Sequence, residues 1–340
     1  MRPMLLLLVL PLLLGAGRVI EGLPLADPAP SGQSGLQARL VFSSNHLGEF
    51  EPCACKDLPL GGLAQQVGVI EDLRAESAVP LFAFDAGDRL FRFDVAAISQ
   101  EEAARRLKAI LQVDAGNVAG LDAAGVGSLD LGGGLPYLRK LAQRARYPMV
   151  SANLLDADGA AVFPASVVVE RGGLRVGVTS VLPGGLATRE WQTADPIKTA
   201  RAEVAALREK GVDLVVVLSN LGLADDKKLA RATKADAVLG SRSREILAEG
   251  PQVGRTVLSQ AGSRGRYVGE VRWYADGKGR GPHLLATTIP VLAAGPVSGP
   301  VHALVQRTLG RLADPRLGVE PIRPDDPRHP AYEPGPTIRP

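Results

Sequence analysis

The strongest constraint on this chain is a pattern that recurs from Leu40 to Arg244: a short apolar run stops abruptly at a cluster of small and polar residues. Leu40-Val41-Phe42 leads into Ser43-Ser44-Asn45-His46-Leu47-Gly48, and Pro80-Leu81-Phe82-Ala83-Phe84 into Asp85-Ala86-Gly87-Asp88. Gly120-Leu121-Asp122-Ala123 precedes Gly127-Ser128-Leu129-Asp130, and Tyr147-Pro148-Met149-Val150 runs into Ser151-Ala152-Asn153-Leu154. Residues 212–218 stop at Ser219-Asn220-Leu221-Gly222, and residues 235–239 at Gly240-Ser241-Arg242-Ser243-Arg244. Short continuous apolar runs suit strands covered on both faces. Interleaved with helical stretches, they predict an α/β domain with helices packed outside the sheet. Loops leaving the carboxyl ends of such strands gather at one edge, where open α/β sheets bind their ligands.

One helix is well marked: Asp195 caps it, Pro196 takes the first turn, Ile197, Val204 and Leu207 share a face, and Gly211 closes it. Residues 256–260 and 267–274 read as a strand pair joined by a Gly/Arg turn, and Asp276-Gly277-Lys278-Gly279 as a turn into a further strand over 284–289. These elements place one domain over residues 38–292, near the size limit of a single core. A short helix over 300–312 carries Val301, Leu304, Val305 and Leu309 as its stripe, and a Pro-rich charged tail completes the segment 293–340.

At the other end, Met1-Arg2, an apolar stretch over 4–14 and Gly15-Ala16-Gly17 read as a secretory signal peptide over residues 1–17. The stretch is shorter than the roughly 20 residues that span a membrane. Residues 18–37 read as a flexible linker rich in Pro, Ser and Gly. Export places the protein in a periplasm or cell envelope, where cysteines meet oxidising conditions. The net charge is only +3 and aromatic residues make up 4% of the chain, with no basic block, so nucleic acid is not the expected partner.

Taken in order, the strand-end segments resemble the catalytic domain of the 5′-nucleotidase and UDP-sugar hydrolase family of calcineurin-like metallophosphoesterases, over residues 40–274. The resemblance implies a layered αββα fold, two β-sheets sandwiched between helices. It also implies a ligand set for two metal ions, and there the chain departs from the family. The family's first segment reads T-N-D-x-H-G, so Asn45 stands where an Asp belongs and Leu47 where a His belongs. The G-D segment is intact, with Asp88 matching the carboxylate that bridges the metals. G-N-H has become Gly127-Ser128-Leu129, S-H-x-G has become Ser219-Asn220-Leu221-Gly222, and G-G-H-S-H has become Gly240-Ser241-Arg242-Ser243-Arg244.

A two-metal hydrolase needs Asp, His and Asn lone pairs to hold cations about 3.5–4 Å apart. Leucine has none to offer, and arginine is a permanent cation. The expectation is therefore a lost dinuclear centre and lost phosphohydrolase activity. The alternative is a residual metal-dependent phosphoesterase acting through Asp88, Asn45 and His46. Arg242 or Arg244 either pairs with Asp88 and plugs the site, or the two bind a phosphate or carboxylate as an anion-binding module. Under both readings a polar pocket is lined by Asn45, His46, Asp88, Asn220, Arg242 and Arg244.

The loop Gly48-Glu49-Phe50-Glu51-Pro52-Cys53-Ala54-Cys55-Lys56 holds the only two cysteines, and by the strand-end rule it faces the same site. A disulfide here closes a small, readily reduced ring. A reactive thiolate is favoured by Lys56 and opposed by Glu49 and Glu51. Two soft sulfurs can also hold a single Cu or Zn, with Asp88, Cys53, Cys55 and His46 as the candidate ligands. Inert thiols or an ordinary disulfide are the plain alternative. The G-E-x-E-P-C-x-C loop, followed by Gly61-Gly62-Leu63, resembles the UshA-like branch of the family, some of whose members carry selenocysteine. That resemblance implies a redox role for Cys53 and Cys55; the expected partner is a redox protein for the cysteine pair or a small anionic ligand for the Arg242 and Arg244 pair.

Overall fold

The computed structural model describes residues 35–56, 58–92, 99–275 and 283–314. The expected signal peptide, all but the end of the linker, the turn at 276–279 and the tail from 315 lie outside the described residues.

The first half of the chain forms β1 (Leu36–Ser43), α1 (Leu63–Ala75), β2 (Leu81–Asp85), α2 (Ser99–Ala119), β3 (Ala123–Gly125), α3 (Leu135–Arg144) and β4 (Met149–Val150). Next come β5 (Leu154–Asp156), β6 (Ser166–Arg171), β7 (Leu174–Val181), β8 (Trp191–Thr193), α4 (Pro196–Glu209), β9 (Leu214–Ser219), α5 (Leu223–Thr233) and β10 (Ala237–Gly240). The chain closes with β11 (Gln252–Val253), β12 (Thr256–Gln260), β13 (Tyr267–Tyr274), β14 (His283–Pro290) and α6 (Gly299–Leu312). One six-stranded sheet has the order β14-β13-β1-β2-β3-β4, the other β11-β12-β10-β9-β7-β6, and β5 pairs with β8 apart from both. Strands β1 to β4 run parallel, as do β7, β9, β10 and β12.

Alternation along each strand sets the layers. Leu40, Phe42, Phe82 and Phe84 of the first sheet pack against Val178, Leu214, Val216 and Leu239 of the second. Their neighbours Val41, Leu81 and Ala83 point the other way, onto Val69 and Ile70 of α1. On the far side, Val215 and Val217 meet Val204 and Leu207 of α4 and Leu229 of α5. This is the expected αββα sandwich, and each large side chain so buried contributes about 1.5–3 kcal/mol. Asp195 caps α4 as anticipated, its Oδ1 accepting from the Lys198 N–H at 2.9 Å. Helix α6 buries Val301 and Val305 among Leu63, Val67 and Leu111, so it seals the same outer layer as α1 and α2. No helix among the described residues is long and apolar enough to cross a membrane.

One local expectation is corrected. Strands β12 and β13 do not pair with each other as a hairpin: β12 lies parallel to β10 in the second sheet, and β13 antiparallel to β1 in the first. The Gly262–Gly265 stretch carries the chain from one sheet to the other, with Gly262, Arg264 and Gly265 all at positive φ. Both strands are buried, and burial favours pairing within each sheet over a local hairpin. The further strand read over 284–289 forms as β14 (His283–Pro290), and it is this strand that pairs antiparallel with β13.

Candidate functional site

The carboxyl ends of both sheets meet at one edge, and side chains from opposite sheets bond across the seam. Asn220, after β9, donates from Nδ2 to Asp88 Oδ2 at 2.8 Å and to Ser241 Oγ at 2.9 Å. Its Oδ1 accepts from the Ser128 N–H at 2.8 Å. Ser241 donates onward to the Ala86 carbonyl at 2.8 Å. Asp88 Oδ1 accepts from the Leu129 N–H at 2.8 Å, while its own N–H donates to Asp130 Oδ2 at 3.0 Å. Asp130 also takes the N–H groups of Gly127 and Leu90, at 2.8 Å each. A Cβ at Gly127 would lie 2.3 Å from both Asp88 N and Oδ1, so only glycine lets the two loops approach this closely.

The electrostatics follow from burial. Desolvation raises the Asp88 carboxyl above its usual range, while the Asn220 and Leu129 hydrogen bonds and the charge of Arg242 pull it down. Asp130 is pushed up to about 7, first by burial and then by the charge of Asp88. The expected pairing of Arg242 or Arg244 with Asp88 is not what forms. Asp88 takes Asn220 and Leu129, and the exposed Arg242 guanidinium donates to Ser128 Oγ at 3.2 Å. Arg244 is likewise exposed.

Asn45 holds loops together. Its Oδ1 accepts from the Arg242 N–H at 2.7 Å, and its Nδ2 donates to the carbonyls of Ser243 at 2.9 Å and Gly262 at 3.0 Å. Its own carbonyl accepts from the Arg264 N–H at 2.8 Å. Five residues here, Asn45, Leu47, Asp88, Arg242 and Arg264, adopt φ between 50° and 70°, a left-handed conformation that side-chain-bearing residues take at a cost. The strain is concentrated at this edge, where the cross-sheet hydrogen bonds hold it.

These positions do not fit a dinuclear metal centre. The side-chain oxygens of Asn45 and Asn220 already accept backbone N–H groups, and Leu47, Leu129, Arg242 and Arg244 bring no donor lone pair. Nor are Asp88, Cys53, Cys55 and His46 gathered as a ligand set. Among the described residues no group of three or more His, Cys, Asp and Glu is placed to hold a metal ion. His46 is turned inward and fully buried. Its Nδ1 meets Gln112 Oε1 of α2 at 2.9 Å, its Nε2 has no partner, and burial together with the charge of Arg89 lowers it to about 4, so it is neutral.

The cysteine loop lies beside this centre. Cys53 and Cys55 are joined as a disulfide, so in this state the pair offers no thiolate to Cu or Zn. Cys53 is buried and Cys55 partly exposed. The loop is closed by the Cys53 N–H to the Leu60 carbonyl at 2.8 Å and by a Pro52–Gly61 bridge. In return the Leu60 N–H donates to Cys53 Sγ at 3.3 Å. Underneath, Phe50 packs with α1 and α2, and Lys108 sits 5.6 Å from its ring centre. Burial raises the Glu49 carboxyl, against the pull of Lys108, Arg92 and Arg264, and Arg92 lies 3.6 Å from it.

Sequence reasoning did not single out Asp130, Ser241, Gln112 or Arg264. Asp130 and Ser241 sat inside the quoted segments, where hydrogen-bonding side chains next to glycines were the available signal. Gln112 and Arg264 carried none, because their place depends on which elements become neighbours.

No protein-family model matches the chain. Among curated proteins it is 28% identical over 202 residues to the uncharacterised metallophosphoesterase YunD of Bacillus subtilis, covering 57% of this chain and 42% of that one. The chain spans less than half the length of the curated relatives it matches. Among solved structures, the sulfate thiohydrolase SoxB of Thermus thermophilus superposes with a TM-score of 0.70 at 18% identity, covering 82% of this chain and 61% of that one. A 5′-nucleotidase precursor from Thermus thermophilus gives 0.67 at 23% identity, covering 81% and 59%. The relatives of this chain are thus metallophosphoesterases and 5′-nucleotidases, and its own architecture is the calcineurin-like metallophosphoesterase fold.

Proposed function

We propose that this chain is an exported protein that uses a phosphoesterase scaffold without dinuclear phosphoester hydrolysis, and that its Cys53–Cys55 disulfide exchanges with external thiols. One observation carries the reading: the buried Cys53 Sγ accepts the Leu60 N–H while Cys55 is partly exposed. A hydrogen bond to sulfur favours the thiolate, and a better-stabilised thiolate leaves faster. An external thiolate attacks Cys55 Sγ, the bond between the two cysteines breaks, and its electron pair leaves on Cys53 beside Leu60. A second thiolate attacks the external sulfur of the mixed disulfide and releases Cys55. Two external thiols are oxidised to a disulfide, and the protein gains two thiols. The cell-envelope location rests on the apolar stretch over 4–14.

The decisive comparison puts thiol release from the purified, oxidised protein beside phosphoester hydrolysis with Zn, Mn or Fe supplied. The expected result is thiol-dependent reduction and no metal-dependent hydrolysis. The competing reading, a residual phosphoesterase, is supported by the retained Asp88 and by relatives named as metallophosphoesterases, apyrases and 5′-nucleotidases. Hydrolysis that disappears in Asp88→Ala would establish that reading and sink the first.

A further inference from the structure

The outer edges of the two six-stranded sheets are closed to different degrees. Strands β4 and β11 are each only two residues long. The eight-residue β14 is covered by the segment that precedes β12. There the Gly250 N–H donates to the Ala286 carbonyl at 3.0 Å, Gln252 Nε2 donates to the Leu284 carbonyl at 3.0 Å, and Glu249 bridges Thr287. The remaining edge is β6, six residues paired with β7 in unbroken register around the Gly172-Gly173 turn.

The pairing with β7 fixes which way the backbone of β6 points. Arg175 stands opposite Glu170, yet its carbonyl accepts from the Asp213 N–H at 2.8 Å and its own N–H donates to Asp213 Oδ2 at 2.8 Å. Both groups therefore face away from β6, and Glu170 and Arg175 are a non-bonded pair. Antiparallel partners alternate between bonded and non-bonded pairs, so the N–H and C=O groups of Ser166, Val168 and Glu170 turn outward. Among the described residues nothing bonds them. Val167, Val168 and Val169 are each partly exposed, and residues 166–171 contain no Pro, Gly, Lys or bulge of the kind that blunts a free edge.

We propose that β6 is a dimer interface, pairing antiparallel with β6 of a second copy of this chain across a two-fold axis at Val168. The strand is complementary to itself. With Val168 opposite its own counterpart, Ser166 falls opposite Glu170, so every outward-turned residue meets another and each such pair exchanges both of its N–H···O bonds. Val167 falls opposite Val169, and pairs of β-branched side chains suit neighbouring strands. No cross-strand pair sets like charges together: Glu170, already paired with Arg175 at 3.0 Å, meets Ser166, and Arg171 meets Ala165. The contact is isologous, as a closed two-fold assembly requires, and it joins the second sheets of two molecules into one.

The test reads the mass of the full-length protein by light scattering, together with hydrogen exchange at the Val168 and Glu170 amides. The expected result is the mass of two chains with both amides protected. Val168→Pro removes an N–H that faces outward and makes no bond within the chain, and proline is tolerated at such edge positions. The variant should keep the circular dichroism spectrum of the unaltered protein while its mass halves. A mass of one chain for the unaltered protein would overturn the proposal, and protected amides in that monomer would assign the edge to another segment of the same chain. A dimer with both amides open to exchange, or one whose mass Val168→Pro leaves unchanged, would place the interface elsewhere and overturn it too. Mass and exchange on the unaltered protein decide the matter even if the variant misfolds.

Discussion

Two neighbouring regions at the same edge have settled their polar groups in opposite ways. At the centre, Asp88, Asn220, Ser241 and Asp130 spend their hydrogen-bonding capacity on one another and on backbone N–H groups. The result is a sealed seam joining the two sheets. In the loop after β1, the Cys53–Cys55 disulfide leaves Cys55 partly exposed to solvent. The difference teaches that polar side chains at strand ends can be committed to structure while an adjoining loop stays open to solvent, since a satisfied buried network stabilises but leaves little to offer a ligand.

The comparison breaks most completely at the cysteines. Cys53→Ser should abolish thiol exchange while lowering stability by no more than about 2 kcal/mol, because the ring it opens is very short. Labelling kinetics and urea unfolding report the two parts, and exchange surviving in this variant would remove the loop from the chemistry.

The next effect lies in the sealed region and concerns pH. Burial pushes the carboxyls of Asp130 and Asp226 up to about 7, against about 3.9 in an unfolded chain. Asp226 is enclosed by Ser219 Oγ at 2.5 Å and Gln260 Nε2 at 2.8 Å. Between about pH 4 and pH 7 the folded protein holds protons that the unfolded chain has lost, so this contribution is full below pH 4 and is lost as pH rises to 7. The loss for Asp226 is on the order of 4 kcal/mol. Asp226→Asn should therefore flatten the fall in unfolding free energy between about pH 4 and pH 7, and identical slopes for both proteins would contradict the assignment.

A methyl group tests how tightly the seam is closed. Gly127→Ala places a Cβ 2.3 Å from Asp88 and should cost about 3 kcal/mol by overpacking, read as a shift in the urea midpoint at constant slope. Finally, Arg242→Gln sharpens the contrast from the other side. The side chain is exposed and makes a 3.2 Å bond to Ser128 Oγ, so stability should change by no more than about 0.5 kcal/mol. A large loss would mean that Arg242 supports the seam after all.

Much of the fold was legible because its signals are local. The apolar run over 212–218 became β9, the Asp195-Pro196 pair became the start of α4, and the stripe of α6 buried Val301 and Val305. The failed hairpin between β12 and β13 shows where local reading ends. A turn of glycine and arginine permits a reversal, but the sheets on either side decide whether the two strands pair. The site was half legible: the segments holding Asp88, Asn220 and Asn45 could be picked out, while the inward turn of His46 onto Gln112 could not.

By itself, then, the sequence determined the layers, since the spacing of apolar residues is set by neighbours two to four positions apart and dictates which face of an element is buried. It also determined which donor atoms stand at the strand ends. Only the tertiary structure decided what those atoms bond. Asp88 meets Asn220 across 132 residues, and Arg264 meets Asn45 because β13 lies beside β1. Such pairings depend on the order of strands in two sheets and on how the sheets face each other, quantities that no local spacing encodes.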